Sequence, residues 1–238
     1  QKMKEPPLIP VAAEKIAYWH DSVNERDYAI CCTGHEMFSS QYKSGVYLYD
    51  LNTLQLQFLC SYPDNSVWPT SMGMAIDGEL HKLHLFGGKG LFGQWLVLNL
   101  KANLWDVRKD LSKYKIPFPC NLQQPKCIVI NGSLHVFSKG TLLRYARRKH
   151  RFVELPSIQG ADVRNLDYMF YVQSQRRIYV FGGSNDSLDR VYYDDIWYCE
   201  HSKSGTEYKW HRFNIQLPYH EKNDAYGGKR KYSACLAE

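Results

Sequence analysis

Two groups of residues have the letters or spacing of a chemical site. Gly88-x-Gly90-x-x-Gly93 spells a dinucleotide fingerprint, in which glycines let the backbone approach a pyrophosphate held at a helix N-terminus. That chemistry needs a helix next, but Trp95 to Leu100 reads as a strand, so the glycines read as a flexible loop. His81 and His84 are the second group. A spacing of three puts them on opposite faces of a strand, poor geometry for holding one metal. The chain has no P-loop, no H-E-x-x-H and no G-x-S-x-G. No catalytic residue, no metal and no cofactor is therefore assigned.

Charge is the more informative chemistry. Arg144, Arg147, Arg148, Lys149, His150 and Arg151 crowd one short stretch, and Arg176 and Arg177 form a second. Guanidinium and ammonium groups at this density suit an acidic protein segment or an anionic surface. No aromatics interleave with them, which disfavours base stacking, and a net charge of +6 is too mild for a nucleic-acid signature. A further candidate contact surface is the loop Ser184 to Asp195, where Asp189, Arg190, Tyr192, Tyr193 and Asp194 mix tyrosines with both signs of charge.

These residues must be positioned by a scaffold, and internal repetition reveals it. A short apolar strand ending in a small residue recurs at Ala29 to Gly34, Leu83 to Gly88, Leu134 to Gly140 and Ile178 to Gly183. With Thr33, Gly87, Ser138 and Gly182 taken as equivalents, the steps are 54, 51 and 44 residues. Each anchor is followed by a loop and another strand, at Val46–Asp50, Trp95–Asn99, Leu142–Ala146 and Ile196–Glu200. Large apolar residues follow on the next strand. Tyr49 to Leu56, Leu98 to Trp105 and Tyr145 to Phe152 are each seven apart, and Cys199 to Trp210 is eleven, a four-residue insertion near Ser202 to Gly205. A strand also precedes each anchor, with Asp77-Gly78 and Asn131-Gly132 as hairpin turns. The unit is therefore four antiparallel strands, a to d.

A diglycine, a Tyr and a Trp seven residues later resemble the kelch motif, whose period is about 50 residues. The resemblance implies an all-β, kelch-type β-propeller forming one domain. Its blades span about 14–63, 70–115, 125–157 and 165–218, and about 230–238 reads as the first strand of a fifth blade, in part of a ring of about six. It implies a non-enzymatic protein-interaction module, a scaffold-like component that binds another protein through its loops, with possible membership of a larger complex. Two alternatives stand beside it. One is a kelch-fold enzyme such as a galactose-oxidase-like copper oxidase. The other is a scaffold that meets acidic partners or anionic surfaces through Arg147, Arg148, Lys149, Arg151, Arg176 and Arg177 of blades three and four, one patch if their turns share a face.

Bulk properties fit this reading. Hydrophobic residues are 44% and aromatics 14% of the chain, a globular and strand-prone composition. Seven cysteines, odd in number and mostly within apolar runs, suggest reduced thiols and a cytoplasmic location. No apolar run reaches the roughly 18 residues that would cross a bilayer.

Overall fold

The computed structural model describes residues 13–33, 44–63, 71–88, 94–110, 125–158, 165–166, 168–184, 193, 195–202 and 207–213. Among them are sixteen strands in four four-stranded sheets. The first sheet is β1 (Ala13–Asp21), β2 (Arg26–Thr33), β3 (Val46–Asp50) and β4 (Gln55–Cys60). The second is β5 (Gly73–Asp77), β6 (Lys82–Phe86), β7 (Gln94–Asn99) and β8 (Leu104–Asp110). The third is β9 (Lys126–Ile130), β10 (Ser133–Ser138), β11 (Thr141–Ala146) and β12 (Arg151–Glu154). The fourth is β13 (Tyr168–Val172), β14 (Arg177–Phe181), β15 (Ile196–His201) and β16 (Tyr208–Phe213). Every sheet runs in sequence order, the meander of a propeller blade, and the fold is an all-β, four-bladed β-propeller. The expected fifth-blade strand at 230–238 lies outside the described residues.

The strand pairing fixes the repeat. In three of the sheets a residue of the third strand faces the large apolar residue of the fourth strand: Tyr49 opposite Leu56, Leu98 opposite Trp105, and Cys199 opposite Trp210. The insertion between Cys199 and Trp210 is thus absorbed in the turn, and the register is kept.

Turn chemistry explains the hairpins. Asn131 and Gly132 both have positive φ, 48° and 66°, and close a two-residue turn. Asp77-Gly78 departs from the expected tight hairpin. Asp77 pairs with Lys82, so four residues intervene, and the left-handed position falls on His81 at φ 51°. Glu25 and Arg176 take the same position in the first and fourth sheets. The repeat anchor needs one further correction. Gly87-Gly88 and Gly182-Gly183 are consecutive left-handed pairs, and the matching pair in the third sheet is Lys139-Gly140, one residue beyond Ser138. A Cβ at Gly183 would strike the backbone carbonyl of Asn165, so only glycine fits there.

The molecule divides into two compact units, Gln1–Val136 with Arg144–Val153, and Phe137–Leu143 with Glu154–Glu238. In the first unit, β5 lies beside both β1 and β9, so first strands of successive sheets adjoin. Trp19, Ile30, Cys32 and Val46 of the first sheet pack with Leu83, Leu85, Leu96 and Leu98 of the second. On the other face of the second sheet, the Trp95 ring lies 4.8 Å from that of Tyr145, and the Phe86 ring 5.5 Å from that of Phe152. Burying rings of this size contributes on the order of 2–3 kcal/mol each.

The five described cysteines are free thiols. Burial pushes the thiol of Cys60 up to about 11 and that of Cys199 to about 12, and burial raises those of Cys32 and Cys127 further. Carboxylates that cap turns move the other way. Asp50 accepts the backbone N–H groups of Thr53 and Asn52, both at 2.8 Å, and is held below the usual carboxylate range by them, against the opposing effect of burial.

Candidate functional site: a cationic turn

Four of the six predicted cations sit on one hairpin of the first unit. β11 ends at Ala146, Arg147–Lys149 form a single 3-10 turn, and His150 closes it at φ 48°, donating its N–H to the Arg147 carbonyl at 3.2 Å. Leu54 and Asn103 hold the same left-handed position in the first and second sheets, so the turn is a repeat device that here carries cations. Arg147 through Arg151 are all exposed.

Their partners separate them. Arg147 Nη2 lies 3.2 Å from Oδ2 of Asp77, whose side chain is only 2% exposed, and the other Asp77 oxygen accepts the Leu80 N–H at 3.1 Å. The Arg147 guanidinium also lies over Gly132, where an added Cβ would come within 2.8 Å of Nη2. This arginine ties the third sheet to the second. Arg148, Lys149 and Arg151 have no ion pair or hydrogen-bonded side-chain partner among the described residues.

The other two predicted cations belong to the second unit. Arg176 is exposed and fills the left-handed end of the β13–β14 turn. Arg177 is committed within its sheet: Nη2 and Nε lie 2.6 and 3.0 Å from Oε1 of Glu200, and the guanidinium stands 4.5 Å above the Tyr198 ring. Arg26 with Asp50 at 3.2 Å and Lys82 with Asp106 at 2.8 Å repeat that arrangement. A basic residue thus opens the second strand of three sheets and is neutralised from its own sheet, by the adjacent third strand for Arg26 and Arg177 and by the fourth strand for Lys82. Sequence reasoning counted Arg147 and Arg177 as available cations and missed these partners. The signal was present, since Arg26, Lys82 and Arg177 occupy one repeat position.

The second predicted surface is largely out of view. Asp189, Arg190, Tyr192 and Asp194 lie outside the described residues, and Tyr193 is half-buried with its N–H donated to the Gly183 carbonyl at 2.9 Å. His84 is a core residue whose Nδ1 accepts the Trp95 indole N–H at 3.2 Å, and His81 packs edge-on against Trp19. Among the described residues no three His, Cys, Asp or Glu side chains cluster as a metal site would require. One surface cluster had no sequence signal: Asp27 accepts the Tyr18 hydroxyl and lies 2.9 Å from Nδ1 of His20.

No family model matches the chain, and no curated protein matches it in sequence. Solved structures do match. An auxiliary nutrient-binding protein from Bacteroides thetaiotaomicron is 12% identical with a TM-score of 0.53, over 88% of this chain and 43% of that one. The protein YjhT is 14% identical with a TM-score of 0.56, over 89% of this chain and 67% of that one. The extracellular domain of a one-component system from B. thetaiotaomicron is 12% identical with a TM-score of 0.45, over 85% of this chain and 28% of that one. This chain therefore spans less than half of the first of these proteins, and at such identities the likeness is one of fold. The cytoplasmic location inferred from the thiols is corrected here. A protein described as nutrient-binding shares this fold, so free thiols do not fix the compartment.

Proposed function

We propose that this chain is a non-enzymatic, kelch-type interaction module that takes an acidic protein segment on the exposed turn between β11 and β12. The observation that carries this reading is the division among its cations. Arg147 neutralises buried Asp77, while Arg148, Lys149 and Arg151 project with no acidic partner among the described residues. Exposed charges at a rigid hairpin steer an opposite charge and set its orientation at little cost in ordering. The fold supplies rigidity: the turn grows from two strands whose inner residues Leu142, Leu143, Tyr145 and Phe152 are buried.

A fluorescent hexaglutamate peptide is the probe. Its affinity should fall with added salt, and Arg148→Ala/Lys149→Ala/Arg151→Ala should weaken it about tenfold, at roughly 0.5 kcal/mol for each surface cation. Equal affinity in the wild type and the triple variant would remove this reading.

A further inference from the structure

One rim of the first unit gathers exposed aliphatic side chains beside the cationic turn. Seven large apolar side chains are exposed among the described residues, and five of them lie on turns that share this rim. Val23 sits in the β1–β2 turn, Leu51 and Leu54 in the β3–β4 turn, and Leu80 in the β5–β6 turn, while Leu104 opens β8 directly after the β7–β8 turn. In an antiparallel meander these turns emerge at one end of each sheet. Contacts join the ends of successive sheets. His81, which closes the Leu80 turn, packs edge-on against Trp19 near the end of β1, with ring centroids 5.8 Å apart. The Asp77 carboxylate then accepts the Leu80 N–H at 3.1 Å on one oxygen and Arg147 Nη2 at 3.2 Å on the other, so the Leu80 turn abuts the cationic one. Leu104 and Arg151 hold the same place in the second and third sheets, each directly after a left-handed residue, Asn103 or His150.

Burial of the acidic groups gives this rim its sign. Asp21, Asp50 and Asp77 stand at the bases of three of the turns, and all three are buried. They are spent on turn hydrogen bonds: Asp21 accepts the Val23 N–H at 3.1 Å, and Asp50 those of Asn52 and Thr53 at 2.8 Å. Two exposed carboxylates remain on the turns, Glu25 and Glu79, against the exposed cations Lys101, Arg148, Lys149 and Arg151. A solitary exposed leucine is ordinary, whereas five aliphatic side chains on one rim beside clustered cations have the composition of a contact surface. A purely acidic segment would leave the leucines wet, and a purely apolar one would leave the cations unmatched. We infer, resting on the reading of the cationic turn above, that the acidic segment is amphipathic: its carboxylates meet Arg148, Lys149 and Arg151, while aliphatic side chains next to them in its sequence cover Leu80 and Leu104 and run on toward Leu51 of the first sheet.

Two fluorescent probes separate this inference from the reading it rests on: hexaglutamate alone, and hexaglutamate carrying a leucine–serine–leucine–serine–leucine tail. The tailed peptide should bind the intact chain at least about tenfold tighter, and the gain should survive added salt, because it comes from apolar burial and not from charge. Leu51→Ser/Leu80→Ser/Leu104→Ser should erase the gain while leaving the affinity for hexaglutamate as in the wild type, which also shows that the variant is folded. Equal affinity for the two probes, with hexaglutamate still bound, overturns the inference and leaves the cationic reading standing. No binding of either probe overturns both. A gain that persists in the leucine variant overturns the inference, because the tail would then rest elsewhere. Binding to phosphatidylserine vesicles that the leucine variant loses, with no gain for the tailed peptide, overturns it in favour of a lipid surface.

Discussion

The indole N–H of Trp105 donates to the carbonyl of Ser61 at 2.8 Å, joining the last strand of the second sheet to the connection that leaves the first. Two sheets later, Trp210 donates to the Pro156 carbonyl at 2.6 Å in the same way. The conspicuous tryptophans are thus latches. Trp105→Phe keeps most of the ring packing and loses the hydrogen bond, so it should cost about 1 kcal/mol, read as a lower urea midpoint. Trp105→Ala should cost about 3 kcal/mol. A Phe variant as stable as the wild type would show that the ring alone matters.

Arg147 and Arg148 are neighbours with opposite roles. Arg147→Ala leaves the buried Asp77 carboxylate without its cation and should cost about 1.5 kcal/mol, discounted because Arg147 itself is half exposed. Arg148→Ala should change stability by less than about 0.5 kcal/mol. Chemical denaturation of the two variants side by side checks this, and equal stabilities would contradict the assigned latch.

The thiols give a pH-dependent prediction at the alkaline end. Cys60 rises from 9.0 to about 11 on folding, because burial penalises the thiolate. Below pH 9 both states are protonated and the stability is complete. As pH rises from 9 through 11 the unfolded chain ionises first and stability falls. Native Cys32, Cys60, Cys127 and Cys199 should resist Ellman's reagent at pH 8 and react in guanidinium. Fast native labelling would contradict the burial of Cys32, Cys127 and Cys199 and the partial burial of Cys60.

Asp50 contributes on the acid side. Its carboxylate is held low chiefly by the Thr53 and Asn52 amides and also by Arg26, so its contribution is present above the usual carboxylate value and lost as pH falls below about 4. Thermal melts of Asp50→Asn should depend less on pH between 3 and 6 than those of the wild type. An identical pH profile would place the acid sensitivity elsewhere.

The blades were legible because large residues recur at fixed offsets: Leu98 with Trp105 and Cys199 with Trp210 pair as their spacing implied, even across an insertion. Turn lengths were less legible. Asp77-Gly78 has the letters of a tight hairpin, but Asp77 is bound by Leu80 and Arg147, and those contacts hold a longer turn open. The cationic stretch was legible as composition and opaque as function. Which arginine is neutralised depends on Asp77, 70 residues away in sequence, and on Glu200 across a strand pair. Location was misread from the cysteines, since an apolar run buries a thiol whatever the compartment.

The most direct test of the proposed site is a hydrogen-exchange footprint of the intact chain with and without the hexaglutamate peptide. The account predicts slowed exchange confined to the amides from Arg147 to Phe152. Slowed exchange elsewhere, with this turn unchanged, would contradict it.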